Sequence, residues 1–151
     1  RLLQTQGVPP FPIMVAFAKR LSSEDNLLLG LASSAPMEEI LHNLQQIGLS
    51  NAFDLIISGA DDLGNYSDAE GTNKPKPYIY IEAAKRLGVS PSKCLVFEDT
   101  SAGVEAADGA GMIAIAVPNQ FTVQQDFSKA TCRLDASKGI SLKALLLLEK
   151  T

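Results

Sequence analysis

Cys94-Leu95-Val96-Phe97-Glu98-Asp99-Thr100-Ser101-Ala102-Gly103-Val104 decides how this chain is read. A short apolar run ends in two adjacent carboxylates, followed by a Thr-Ser-Ala-Gly turn and a stretch of small residues suited to a helix. In an open α/β sheet, ligands bind just outside the carboxyl ends of the strands. Two acids at that point are placed to hold a cation, and Mg²⁺ takes one or two carboxylates together with waters and phosphate oxygens. The competing reading has Asp99 capping the next helix and Glu98 standing in solvent.

Working outward, short apolar runs alternate with helical patterns. Ile13 to Leu21 has helical spacing and ends at the polar turn Ser22–Asn26. Leu27 to Ala32 is a continuous apolar run, predicted as a buried parallel strand. Pro36 suits the first position of a helix. Glu38 and Glu39 favour that helix's N-terminus, Met37, Ile40, Leu41, Leu44 and Ile47 form its apolar stripe, and Gly48 is its stop. Phe53–Ile57, Cys94–Phe97, Met112–Val117 and Thr131–Leu134 read as further strands. Pro77–Leu87 (stopped by Gly88), Ser101–Ala107 and Leu142–Leu148 read as further helices. Alternation of this kind predicts a mostly parallel sheet with helices on both faces.

Two more features fall at the ends of predicted elements. Ser33 and Ser34 follow a buried strand and precede a helix N-terminus, where hydroxyls and backbone N–H groups suit a phosphate. The alternative is a serine that only caps the helix. Lys74, in Asn73-Lys74-Pro75-Lys76-Pro77, closes the long acidic loop Ser58–Asn73. Each proline disfavours helical geometry in its predecessor, so Lys74 is expected to enter from a stiff, extended segment as a fixed charge for a phosphoryl oxygen. The alternative is a solvated lysine. His42 reads as a surface residue, and Asp61, Asp62, Asp68 and Glu70 as either a weak metal cluster or a solvated acidic loop.

The 151 residues, 46% of them hydrophobic, amount to one domain's worth of chain. A net charge of −4 argues against a nucleic-acid partner. No apolar run is long enough to span a membrane. Cys94 and Cys132 lack metal-ligand spacing and read as packing residues of a cytoplasmic protein. No Gly-x-Gly-x-x-Gly follows a predicted strand, which weakens a dinucleotide-binding reading.

Over roughly residues 9 to 118, the order of these features resembles the haloacid dehalogenase superfamily, in its β-phosphoglucomutase-like and phosphatase branch with a helical cap. Leu29-Gly30-Leu31-Ala32-Ser33-Ser34 resembles the second motif of that family, Lys74-Pro75-Lys76-Pro77 its third, and Leu95–Val104 with Ala106-Ala107 and Ala110-Gly111-Met112 its fourth. Tyr78 departs from the Asp usual after the third motif. The resemblance implies a three-layer Rossmann-like α/β core. It also implies that Ser33, with Ser34, binds the phosphoryl group, that Lys74 stabilises charge around it, and that Asp99 ligates Mg²⁺ with help from Glu98.

The family's first motif, Asp-x-Asp-Gly-Thr, carries the nucleophile that forms an aspartyl-phosphate, and it does not occur in these residues. Asp61-Asp62-Leu63-Gly64 is the nearest imitation. Together with Arg1 as first residue, this leads to the expectation of a C-terminal portion: residues 1–8 as the remnant of a cap or linker, and 9–151 as the core. The core is expected to lack its central first-motif strand, between Leu27–Ala32 and Cys94–Phe97, and most of the cap. The resemblance implies a Mg²⁺-dependent phosphohydrolase of a small phosphorylated metabolite, with these residues inactive alone. A sugar-phosphate mutase and a non-catalytic phosphate- and metal-binding module are the alternatives.

Overall fold

A computed structural model describes residues 12–135. In chain order the elements are α1 (Pro12–Leu21), β1 (Gly30–Ser33), α2 (Met37–Gln46), β2 (Leu55–Ser58), α3 (Tyr78–Leu87), a 3₁₀ turn (Pro91–Lys93), β3 (Leu95–Glu98), α4 (Ser101–Gly109), β4 (Ile113–Ala116) and β5 (Cys132–Arg133). Residues 1–8 and the helix expected at Leu142–Leu148 lie outside the described residues.

Every strand pair is parallel. β1 pairs with β2, from Gly30 opposite Leu55 to Ser33 opposite Ser58. β3 pairs with β4, from Leu95 opposite Ile113 to Glu98 opposite Ala116, and β4 continues to β5. Successive strand residues face opposite ways, which divides the core into two layers. Leu31, Ile56, Leu95, Phe97 and Ile115 pack with Phe17 and Leu21 of α1 and with Ile40 and Leu44 of α2. Ala32, Ile57, Val96, Ala114 and Ala116 pack with Ile79 and Ala84 of α3 and with Val104 and Ala107 of α4. Phe17 meets Phe97 edge to face, with ring centroids 5.3 Å apart. The three-layer parallel architecture is therefore the one expected.

Among the described residues no ladder joins β1 to β3, so the strands form a two-stranded and a three-stranded sheet. Between them lies a cavity of about 540 Å³, lined by β1 and β3 and flanked by Leu21 on one side and Tyr80 and Ala84 on the other. This is where the sequence led us to expect an absent central strand.

Several boundaries move. β1 starts at Gly30 rather than Leu27, because the Leu29 N–H is taken by Asp54 Oδ2 at 2.8 Å and Leu28 is exposed. β2 and β3 each end one residue later than expected, which brings Ser58 and Glu98 into the sheet. Pro36 is the residue before α2 rather than its first. Gly88 ends α3 in the left-handed conformation at φ 67°, which glycine adopts without steric cost.

Candidate active site

Strands run parallel within each sheet, so β1 and β2 deliver Ser33 and Ser58 at the carboxyl edge of one, and β3 and β4 deliver Glu98 and the Val117–Asn119 turn at the carboxyl edge of the other. Ser33 is buried at the end of β1, and its Oγ accepts from the Ala35 N–H at 3.3 Å. The half-buried Ser34 lies in the turn that follows. Gly59, after β2, donates its N–H to Ser33 O at 2.7 Å. A Cβ on Gly59 would stand 3.1 Å from Ser34 Cα and 3.6 Å from Asn73 Oδ1. Glycine thus lets the turn after β1 approach the segment leading to Lys74.

The N-terminus of α2 is less available to an anion than the sequence suggests. Asp61, from the loop after β2, accepts from the Met37 N–H at 2.6 Å and from Ser58 Oγ at 3.2 Å. A carboxylate there satisfies an otherwise unbonded helix N–H and complements the macrodipole. The rest of the acidic loop is tied down as well. Arg86 pairs with Asp62 (3.1 Å) and Glu82 (2.9 Å), Lys76 pairs with Asp68 (3.4 Å) and Glu70, and Tyr66 donates to Glu82 (2.9 Å). Tyr78, the departure from the family's Asp, donates to Asp68 at 2.8 Å. Among the described residues no group of three acidic, His or Cys side chains gathers as a metal site. These carboxylates therefore organise the loop rather than merely solvating it, and His42 is exposed as expected.

Lys74 arrives differently from the expectation. Its segment is a turn closed by the Lys76 N–H to Asn73 O at 2.9 Å, with a cis Lys74–Pro75 bond, and not an extended approach. The Lys74 side chain is only 9% exposed, and its ammonium forms an ion pair with Glu98, whose side chain is 1% exposed. It also donates to Tyr80 Oη at 3.0 Å, and Tyr80 donates to the same Glu98 oxygen. Burial alone would raise the Glu98 carboxyl; the Lys74 ammonium is the largest influence opposing it, and the group stays below the ordinary carboxylate range.

Glu98 fits there because of Gly103. A Cβ at that position would overlap the Glu98 carboxylate, with Oε1 only 2.7 Å away. Gly103→Ala is expected to destabilise the fold by about 1–3 kcal/mol, through forced displacement of a buried carboxylate, and urea unfolding measures this. Thr100, not Asp99, caps α4, since its Oγ1 accepts from the Gly103 N–H at 3.1 Å.

Asp99 is therefore not needed as a cap, yet it is 3% exposed at the strand's end. Asn119, just past β4, donates from Nδ2 to Asp99 Oδ2 at 3.5 Å. The amide's orientation follows from its other end, where Oδ1 accepts from the Phe121 and Thr122 N–H groups at 2.7 and 3.1 Å. The donor set fits Mg²⁺: a buried carboxylate at a strand end, next to residues suited to phosphate, is what that ion takes.

The geometry links Ser33 and Ser34, through Gly59 and Asn73, to Lys74, and Lys74 through Glu98 to Asp99. Asn119 and Tyr80 were not singled out from the sequence. Pro118-Asn119 after an apolar strand, with Thr122 three residues on, is a turn signature that could have marked the first. Tyr80 reads as one more apolar position of α3.

Comparison with known proteins agrees with this fold. The family model described as haloacid dehalogenase-like hydrolase matches residues 2–111. YhcW of Bacillus subtilis (strain 168) is 38% identical over 145 residues, covering 86% of this chain and 62% of that protein. Hexitol phosphatase B of Escherichia coli (strain K12) is 35% identical over 131 residues, covering 85% and 55%. The crystal structure of β-phosphoglucomutase from Clostridium difficile superposes with a TM-score of 0.68 at 29% identity, covering 90% of this chain and 54% of that one. The chain thus spans little more than half the length of these relatives. The family match runs through the loops bearing Ser33, Lys74 and Asp99, and the chain belongs to the haloacid dehalogenase-like hydrolases.

Proposed function

We propose that the protein is a Mg²⁺-dependent phosphohydrolase of a small phosphorylated metabolite, of the phosphorylated sugar or sugar-alcohol class. The buried Lys74–Glu98 pair beside Asp99, at the carboxyl edge of a parallel sheet, carries this reading. The name of hexitol phosphatase B supports the substrate class.

In this reading Ser33 and Lys74 grip the phosphoryl oxygens. The Ser33 oxygen already accepts from Ala35 N–H, so its proton can be donated outward. Ser34 adds a second hydroxyl at the same turn. Lys74, fixed by two acceptors, supplies positive charge where negative charge spreads over the transferring group. Asp99 holds Mg²⁺, oriented by Asn119, while Glu98 serves the metal site chiefly by fixing Lys74 next to it. The bound ion would neutralise phosphoryl charge.

The nucleophile is an aspartate on a strand that fills the cavity between β1 and β3, since no Asp-x-Asp occurs in these 151 residues. Covalent catalysis by a carboxylate needs that group. Hydrolysis of p-nitrophenyl phosphate and of hexose and hexitol phosphates tests the proposal. The protein encoded by the complete gene is expected to turn over with Mg²⁺ and to stop with EDTA, while residues 1–151 alone stay at the buffer rate. Turnover by residues 1–151 would remove the upstream nucleophile from the mechanism. No turnover by the complete protein would favour a binding module.

The likeness to β-phosphoglucomutase favours one second reading, a sugar-phosphate mutase. Formation of glucose 6-phosphate from β-glucose 1-phosphate, without release of inorganic phosphate, would establish it.

A further inference from the structure

We infer that Tyr80 is a positioning residue that sets where the Lys74 ammonium stands, an inference resting on the phosphate-gripping role proposed for Lys74. Tyr80 lies in α3 and is 4% exposed, within an apolar layer that a Phe or Leu would fill equally well. A buried phenol needs a partner for its hydroxyl, and here the partners are both members of the ion pair. Lys74 Nζ donates to Tyr80 Oη at 3.0 Å, Tyr80 Oη donates to Glu98 Oε1, and Lys74 Nζ donates to that same oxygen. Each group thus touches the other two. Lys74 Nζ also stands 4.8 Å from the centroid of the Tyr80 ring.

The physical consequence concerns geometry more than charge. A lysine is a point charge on a flexible four-carbon stem. One acceptor, Glu98, neutralises it but leaves Nζ free to swing about that oxygen. A second acceptor fixed in a helix removes that freedom. The Glu98 carboxylate itself lies buried against Gly103, where an added methyl group would overlap it. The hydroxyl therefore determines the direction of the ammonium's remaining N–H, while the ring and the ion pair supply packing and charge balance.

Tyr80→Phe removes only the oxygen, and two readouts in the protein encoded by the complete gene test its role. In steady-state hydrolysis of p-nitrophenyl phosphate with Mg²⁺, kcat is expected to fall about tenfold with KM changed less than about twofold, as misplacement in the transition state requires. Independently of activity, the lysines are labelled with acetic anhydride and quantified by peptide mass spectrometry. Lys74 is expected to react several-fold faster in the variant, with Lys76 and Lys129 unchanged as internal references. Unchanged labelling of Lys74, or a rise shared by all three lysines, would overturn the inference; so would unchanged kcat in an active enzyme. If the unsubstituted protein does not hydrolyse the phosphate ester, the proposed function fails and the labelling result alone decides the place of Tyr80.

Discussion

Asp99→Asn in the protein encoded by the complete gene is expected to lower kcat/KM for p-nitrophenyl phosphate by about 10³-fold or more. The change keeps shape and volume and removes one negative charge. That charge is the reason a buried group at the end of β3 can hold Mg²⁺ at all, since the ion takes carboxylates in preference to amides. Burying a carboxylate at 3% exposure is also costly to the empty protein. The variant should therefore be at least as stable as the parent in EDTA. Added Mg²⁺ should raise the parent's melting temperature by linkage and leave the variant's unchanged. Equal Mg²⁺ stabilisation of both proteins would mean that the ion binds elsewhere.

Lys74→Met should have the next largest effect, and on two properties at once. It leaves the negative charge of Glu98, 1% exposed, without the lysine that compensates it. Breaking one side of a buried pair costs about 3–5 kcal/mol, to be read by urea unfolding at neutral pH. The pH dependence follows from sign. Lys74 holds Glu98 below its ordinary 4.5, so the pair's stabilisation is present above 4.5 and is lost as pH falls below it. The Lys74→Met variant should show a weaker acid dependence. Adding Glu98→Gln to it should recover much of the lost stability, because an amide is far cheaper to bury than a carboxylate that has lost its lysine. Activity should not return, because the phosphoryl group would still lack the ammonium. Recovery of both would mean that Lys74 serves only the fold.

The three-layer fold was legible because the apolar runs alternate with helical stripes, and the pleat then sorts Leu31, Ile56 and Phe97 from Ala32, Ile57 and Val96. The strand ends were less so. A continuous apolar run carries no period to mark where pairing begins, and at Leu29 a side chain 25 residues away, Asp54, takes the N–H that would have decided it. Ser33, Lys74, Glu98 and Asp99 could be named as candidates because each falls at or near the end of a predicted element and because their order resembles that of a known family. Their partners could not. Tyr80 looks apolar in a helical stripe, Asn119 lies beyond the motif, and the Asp61 cap on α2 is a contact across 24 residues. The extended entry expected for Lys74 failed for a related reason. Proline restricts its neighbours locally, but the hydrogen bond from Lys76 to Asn73 closes a turn there instead.

The central claim is that the described site is completed by a strand seated between β1 and β3 and bearing the nucleophile. A crystal structure of the protein encoded by the complete gene, with Mg²⁺ and inorganic phosphate, tests it most directly. The expected result is an extended strand laddered to both Gly30–Ser33 and Leu95–Glu98, with Mg²⁺ on Asp99, phosphate against Ser33 and Lys74, and an aspartate from that strand facing the phosphorus. A cavity that stays unfilled, or a strand there without an acidic residue at its carboxyl end, would contradict it.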